Sequence, residues 1–260
     1  MASDPLFSIS PVDGRYQSKV TQLSNYFSEA ALIRYRIRIE VEYFIALCQL
    51  PLPQLKDFPS ERFGDLRKMY ADFKQEDAVA VKKIEKTTNH DVKAVEYFLK
   101  SQFDALGLQD FKEFIHFGLT SQDINNTAVP LLLKESINDC YVPLYRNLLE
   151  KLESLAEEWK DIPMLARTHG QPASPTRLGK EVQVFAVRLR EQFRLLDDIP
   201  SAAKFGGATG NFNAHHIAYP TVDWQAFGRH FVQEQLGLHY SFPTTQIEHY
   251  DHMAALFHAL

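Results

Sequence analysis

From Glu29 to about Gln49 the apolar residues Leu32, Ile33, Ile37, Val41, Phe44, Ile45 and Cys48 recur at spacings of three and four, which predicts a helix with a buried face. The stretch from Pro130 to Lys160 repeats the pattern for longer, through Ile137, Cys140, Leu144, Leu148, Leu152, Leu155 and Trp159. A third run, Leu178, Val182, Phe185, Leu189, Phe193 and Leu196, follows Ser174-Pro175, which reads as an N-cap with proline at the first helical position. Helices of about 25–30 residues would be roughly 40 Å long. Narrow apolar stripes on such helices are buried by lengthwise packing, as in a bundle. Convincing period-two alternation is absent, so no large sheet is expected. The expected fold class is all-α. A small N-terminal helical domain over residues 1–110, broken by Leu50-Pro51-Leu52-Pro53 and Phe58-Pro59, precedes the first part of a central helical bundle domain over 111–260. Ile247 through Leu260 predicts a helix still in progress, with Met253, Leu256, Phe257 and Leu260 on one face and no stop signal. A truncated chain is the expectation from that pattern.

Composition adds exclusions. The 260 residues are 45% hydrophobic and 23% charged, as in an ordinary globular protein. The formal charge, 28 − 33 = −5, comes without a long run of one sign, which argues against nucleic-acid and membrane-surface partners. The apolar stretches are too short to span a bilayer, and the opening Met-Ala-Ser-Asp-Pro has neither a basic leader nor an apolar signal core. Cys48 and Cys140 lie in helix-like segments and read as core thiols rather than a disulfide or metal site. A cytoplasmic protein fits these features.

Candidate chemistry gathers at segment ends. Thr88-Asn-His-Asp91, Thr120-Ser-Gln-Asp123 and Thr245-Gln-Ile-Glu248 each place a threonine three residues before an acid, the pattern of a capping box. Each also carries more polar groups than capping requires, and a helix start with spare donors can hold an anion. Both readings stay open at this point. Arg167-Thr-His-Gly-Gln-Pro172 joins two long helical runs, so His169 belongs at one end of a bundle, and a histidine can serve there as general acid or base. Gly206-Gly-Ala-Thr-Gly-Asn211 follows no strand pattern and has no P-loop lysine, and reads as a tight connection between helices. His215 and His216 are adjacent and cannot share a face, so no metal is assigned. Asp13-Gly-Arg-Tyr16 offers a guanidinium suited to phosphate or carboxylate.

Taken together, Ser10-Pro-Val-Asp-Gly-Arg-Tyr16, Thr87 through Tyr97, Phe114-Ile-His-Phe117 with Thr120 through Asn126, Arg167 through Pro172, Gly210 through His215 and Thr244 through Glu248 resemble the bacterial adenylosuccinate lyase family. Thr-Ser-x-Asp alone marks the wider fumarase/aspartase superfamily, and the first, second and last segments narrow it. The resemblance implies an all-helical homotetramer without a cofactor, whose active sites draw on three subunits. It implies β-elimination of fumarate from adenylosuccinate, giving AMP, and from the related ribonucleotide SAICAR, giving AICAR. Residue by residue, His169 matches the general acid, and Arg15 and Tyr16 match residues holding the nucleotide, chiefly its phosphate. Asn89, His90 and Asp91 match a second substrate-binding segment, Thr120 and Ser121 the pair for the succinyl part, and Gln246 another substrate contact. Asn211 and His215 lie in a family segment near the site. After Glu248 the chain reads His249-Tyr250-Asp251 where the family reads Pro-His-Asp, which leaves His249 without a carried-over role. The family's loop Gly-Ser-Ser-x-Met-Pro-x-Lys-x-Asn-Pro, source of the serine base, has no counterpart in the 260 residues. Rival readings are a sister lyase acting on argininosuccinate or aspartate, and a non-catalytic nucleotide-binding scaffold.

Overall fold

The computed structural model describes Leu6 and residues 8–260; the N-terminal pentapeptide inspected for a leader lies outside the described residues. Two single turns, α1 (Gln17–Val20) and α2 (Ser24–Phe27), lead into α3 (Glu29–Cys48), followed by α4 (Phe63–Ala71), α5 (Gln75–Thr88) and α6 (Asp91–Ala105). Next come α7 (Ser121–Ser136), a π-helical turn Ile137–Tyr141, and α8 (Val142–Glu158). A hairpin of β1 (Pro163–Thr168) and β2 (Gln171–Arg177) precedes α9 (Leu178–Asp197). The remainder holds β3 (Ala202–Ala203), α10 (Asn213–Ala218), α11 (Trp224–His230), a π-turn Phe231–Gln235, β4 (His239–Tyr240) and α12 (Asp251–Ala259). The fold is predominantly helical, as expected. The strands form two small sheets, β1–β2 antiparallel and β3–β4 parallel.

The chain divides into two compact units: the described residues through Glu135 with Ser201–Tyr250, and Ser136–Pro200 with Asp251–Leu260. The division expected at 110/111 falls inside the first unit, because the chain after Ser201 returns to pack on the first helices and on α7. At the centre of this unit is α3. Ser28 caps it, its hydroxyl accepting from the Ala31 amide at 3.1 Å. Of the expected face Ile33, Ile37, Val41, Phe44 and Ile45 are buried and Leu32 and Cys48 partly so, but Tyr35, Arg36, Ile39, Glu40, Tyr43 and Leu47 are buried too, since α2, α4, α5, α6 and the 231–235 turn pack around the helix. The polar groups that such a largely enclosed helix buries need partners from the elements around it. Those of α3 reach Asp91, His116 and His215.

In the second unit α8 and α9 pack together, the Tyr145 hydroxyl donating to the Leu189 carbonyl at 2.7 Å and its ring stacking on Phe193. The helices meet so closely at Gly179 that a Cβ would collide with the Ala156 carbonyl oxygen. Leu144, Leu148, Phe185 and Phe257 remain more than half exposed.

Three local expectations are corrected. Ser174 and Pro175 lie in β2, and α9 begins only at Leu178. Proline lacks an N–H, and Pro172 and Pro175 fit a two-stranded ribbon in which not every ladder bond is needed. Thr88 ends α5 instead of capping α6; Asn89 makes the left-handed turn (φ 50°), and the His90 ring accepts from the Lys93 amide. Thr245 caps nothing, because the helix expected from Ile247 starts at Asp251. Glu248 is instead drawn inward, accepting from Ser241 at 3.0 Å and from the Tyr250 amide.

Candidate active site

Arg36 joins two of the motif segments. Its guanidinium donates to Asp91 at 2.6 Å and to the Asn125 side chain at 2.9 Å, so the start of α6 and the first turns of α7 are held by one buried cation. Burial, the largest single influence, would raise the Asp91 carboxyl, but the Arg36 charge and hydrogen bond, the Val92 amide and His90 together outweigh it and hold the group below the ordinary carboxylate range. Asn89, His90 and Asp91 line an open hollow of about 680 Å3 together with Lys82, Glu85 and Lys86.

The second junction is Asp123, the third residue of α7 and fully buried. One carboxylate oxygen accepts from the Thr120 amide at 2.9 Å, which is the backbone half of the anticipated capping box. The other accepts from Lys204 at 2.6 Å and from the Gly206 amide at 2.8 Å, while the Gly207 amide reaches both at 3.1 Å. The glycine loop therefore does not merely connect helices; it closes over the turn that carries Thr120 and Ser121, both of which stay half-buried. At its far end Gly210, with φ 81°, presses on the Thr244 carbonyl so closely that any side chain would collide. Asn126 completes the junction: its amide oxygen accepts from the Glu248 backbone at 2.9 Å and its nitrogen donates to the Tyr250 hydroxyl at 2.6 Å. Gln246 is carried on the exposed part of that loop. The segments with Asn89–Asp91, Thr120–Ser121, Asn211 and Gln246 are thus tied together within one unit.

Two histidines sit beneath these loops. His116 donates from Nδ1 to buried Glu40 at 2.6 Å; burial lowers its pKa, and the carboxylate more than restores it, leaving it above the ordinary value. The second Glu40 oxygen is buried without a hydrogen-bond partner among the described residues. His215 is a core residue, ringed by Tyr43, Phe117, Phe212 and Trp224. The Tyr43 hydroxyl donates to the Phe117 carbonyl at 2.7 Å and lies 2.8 Å from His215 Nε2, so the imidazole donates from Nε2. Burial pushes the His215 pKa down to about 4 and keeps the ring neutral.

Arg15 and Tyr16 lie at the start of α1, both exposed, with the guanidinium 5.4 Å from the ring centre. Among the described residues no hydrogen bond or ion pair ties them to the Asp123 junction. His169 lies in the other unit, at the hairpin tip. Thr168 pairs with Gln171, and His169 and Gly170 form the two-residue turn with φ 50° and 77°. Both values are positive, as a type I′ turn requires. The imidazole is exposed and has no hydrogen-bond partner among the described residues, so it is presented rather than packed. Sequence reasoning missed Lys204, Arg36 and the Glu40–His116 pair. A lone charge within Ala202-Ala-Lys-Phe205 was the available signal for the first. Among the described residues no cluster of His, Cys, Asp and Glu could hold a metal ion, and no helix is long and apolar enough to cross a membrane.

Solved structures establish the architectural class. A β-carboxy-cis,cis-muconate cycloisomerase from Acinetobacter calcoaceticus superposes with a TM-score of 0.70 at 21% identity, covering 94% of this chain and 53% of that one. A fumarate lyase from Mesorhizobium gives 0.72 at 19% identity, over 92% and 53%. The likeness to these two is one of fold. The chain itself belongs to the lyase family, whose profile matches residues 14–260. It is 52% identical to the adenylosuccinate lyase of Dictyostelium discoideum over 98% of this chain and 56% of that protein. To the adenylosuccinate lyase of Vibrio cholerae it is 45% identical, over 100% and 58%, and to that of Escherichia coli 44%, over 99% and 57%. The chain thus spans somewhat more than half the length of these relatives.

Proposed function

We propose that the complete protein is an adenylosuccinate lyase, cleaving adenylosuccinate to AMP and fumarate and SAICAR to AICAR and fumarate. The observation that carries this reading is identity of 44–52% to adenylosuccinate lyases over essentially the whole chain. The site geometry supports it. The half-buried Thr120–Ser121 turn at the start of α7 offers donors to the succinyl carboxylates. Asn89, His90, Asp91 and Gln246 contact substrate, and Arg15 and Tyr16 hold its phosphate. In the elimination a base removes a proton from the succinyl carbon, the carbon–nitrogen bond breaks, and His169 protonates the departing nitrogen. An exposed imidazole at a two-residue turn, without a hydrogen-bond partner among the described residues, suits that transfer.

The base is assigned to the serine loop that residues 1–260 do not contain, so this chain by itself is inactive. Assembly is a homotetramer in the cytoplasm, with residues 111–260 giving the first part of its central bundle. The exposed Leu144, Leu148 and Phe185 are what such a bundle would cover. Replacing His169 by alanine in the complete protein tests the acid: turnover falls about 10²–10⁴-fold with little change in melting temperature. A near-normal rate would sink the role.

A further inference from the structure

We propose that Lys204 is a positioning residue of the anion site at Thr120–Ser121, cancelling the Asp123 charge behind that turn and holding the Gly206–Gly207 loop onto it. The inference rests on the functional reading above. Lys204 is fully buried, its Nζ 2.6 Å from Asp123 and 2.5 Å from the Gly207 carbonyl. Burial lowers its pKa, and the neighbouring carboxylate only partly offsets that. The ammonium is therefore held at a desolvation cost.

Bonding alone does not account for that cost, because Asp123 already receives the Thr120, Gly206 and Gly207 amides. A buried ion pair is seldom more stable than apolar residues of the same volume. Charge balance supplies the missing reason. The Asp123 carboxylate lies one hydrogen bond from the Thr120 amide, directly behind the donors assigned to a dicarboxylate. A bare negative charge about 6 Å from a bound anion, at an effective dielectric near 20, would weaken binding roughly 100-fold. Lys204 lets the carboxylate gather three amides while the ground behind the site stays neutral.

The test measures inhibition constants for fumarate and AMP, with melting temperatures, in the complete protein carrying no change, K204M, or D123N/K204M. K204M weakens fumarate roughly 30-fold or more and AMP less than about 3-fold. The double variant, uncharged at both positions, recovers most of the fumarate affinity. Should K204M fail to fold, K204Q, which keeps a donor toward Asp123 and Gly207, is expected to give the same selective loss. Equal weakening of both ligands, or a folded double variant without recovery, would make Lys204 a packing residue and overturn the proposal. A parent protein that binds neither ligand would overturn the functional reading and this inference with it.

Discussion

Acidification should destabilise the first unit through His215, and replacing that histidine should remove the effect. The ring is fully buried, and its pKa stands at about 4 against an ordinary 6.5. As pH falls, the unfolded chain takes up this proton first, so the stabilisation is present above about 6.5 and is lost progressively toward 4. At about 1.4 kcal/mol per pH unit, the window amounts to roughly 3 kcal/mol. His116 works in the opposite sense. Its raised pKa gives stabilisation that is complete below the unfolded value of 6.5 and is lost as pH rises through the folded value. Comparing parent and variant at each pH cancels that part. His215→Gln keeps a donor toward Tyr43 while removing the titration. Urea unfolding between about pH 7 and pH 4.5, which covers most of that window, should show the parent losing about 2.5 kcal/mol more than the variant. An identical pH profile in the two proteins would refute the reasoning.

His116→Leu strands the Glu40 carboxylate in the core and should cost about 3–5 kcal/mol, while adding Glu40→Leu should restore most of it; unfolding free energies of the parent and the two variants check this coupling. Gly179→Ala forces a methyl against the Ala156 carbonyl and should cost about 1–3 kcal/mol, read as an earlier thermal transition. Ser28→Ala removes the α3 cap and should cost about 1 kcal/mol in the same assay.

The long helices were legible because burial on one face leaves a periodic trace: α3 and α9 run closely where their apolar residues foretold. What periodicity cannot express is a short element whose reason lies elsewhere. The hairpin around His169 has no apolar alternation, and its signal, a His-Gly pair with two positive φ angles, is weaker than Asn-Gly. The threonine–acid spacing was ambiguous for a physical reason. It gave a backbone capping bond at Thr120, a displaced cap at His90, and none at Thr245, where Asn126 and Ser241 capture the Glu248 loop. Pairs such as Lys204–Asp123 and Arg36–Asp91 lie 81 and 55 residues apart, so only the folded chain reveals them. Motif likeness located the segments that meet at Asp123; it did not reveal the buried charges that join them.

Cleavage of adenylosuccinate, followed by ultraviolet absorbance, tests the central claim most directly when measured on this chain, on the complete protein, and on the chain mixed with the separately expressed remainder. Activity in the complete protein, none in the chain alone, and recovery on mixing are the predicted results. Turnover by the chain alone would contradict the assignment of the base to the loop it lacks, and silence of the complete protein would contradict the lyase reading itself.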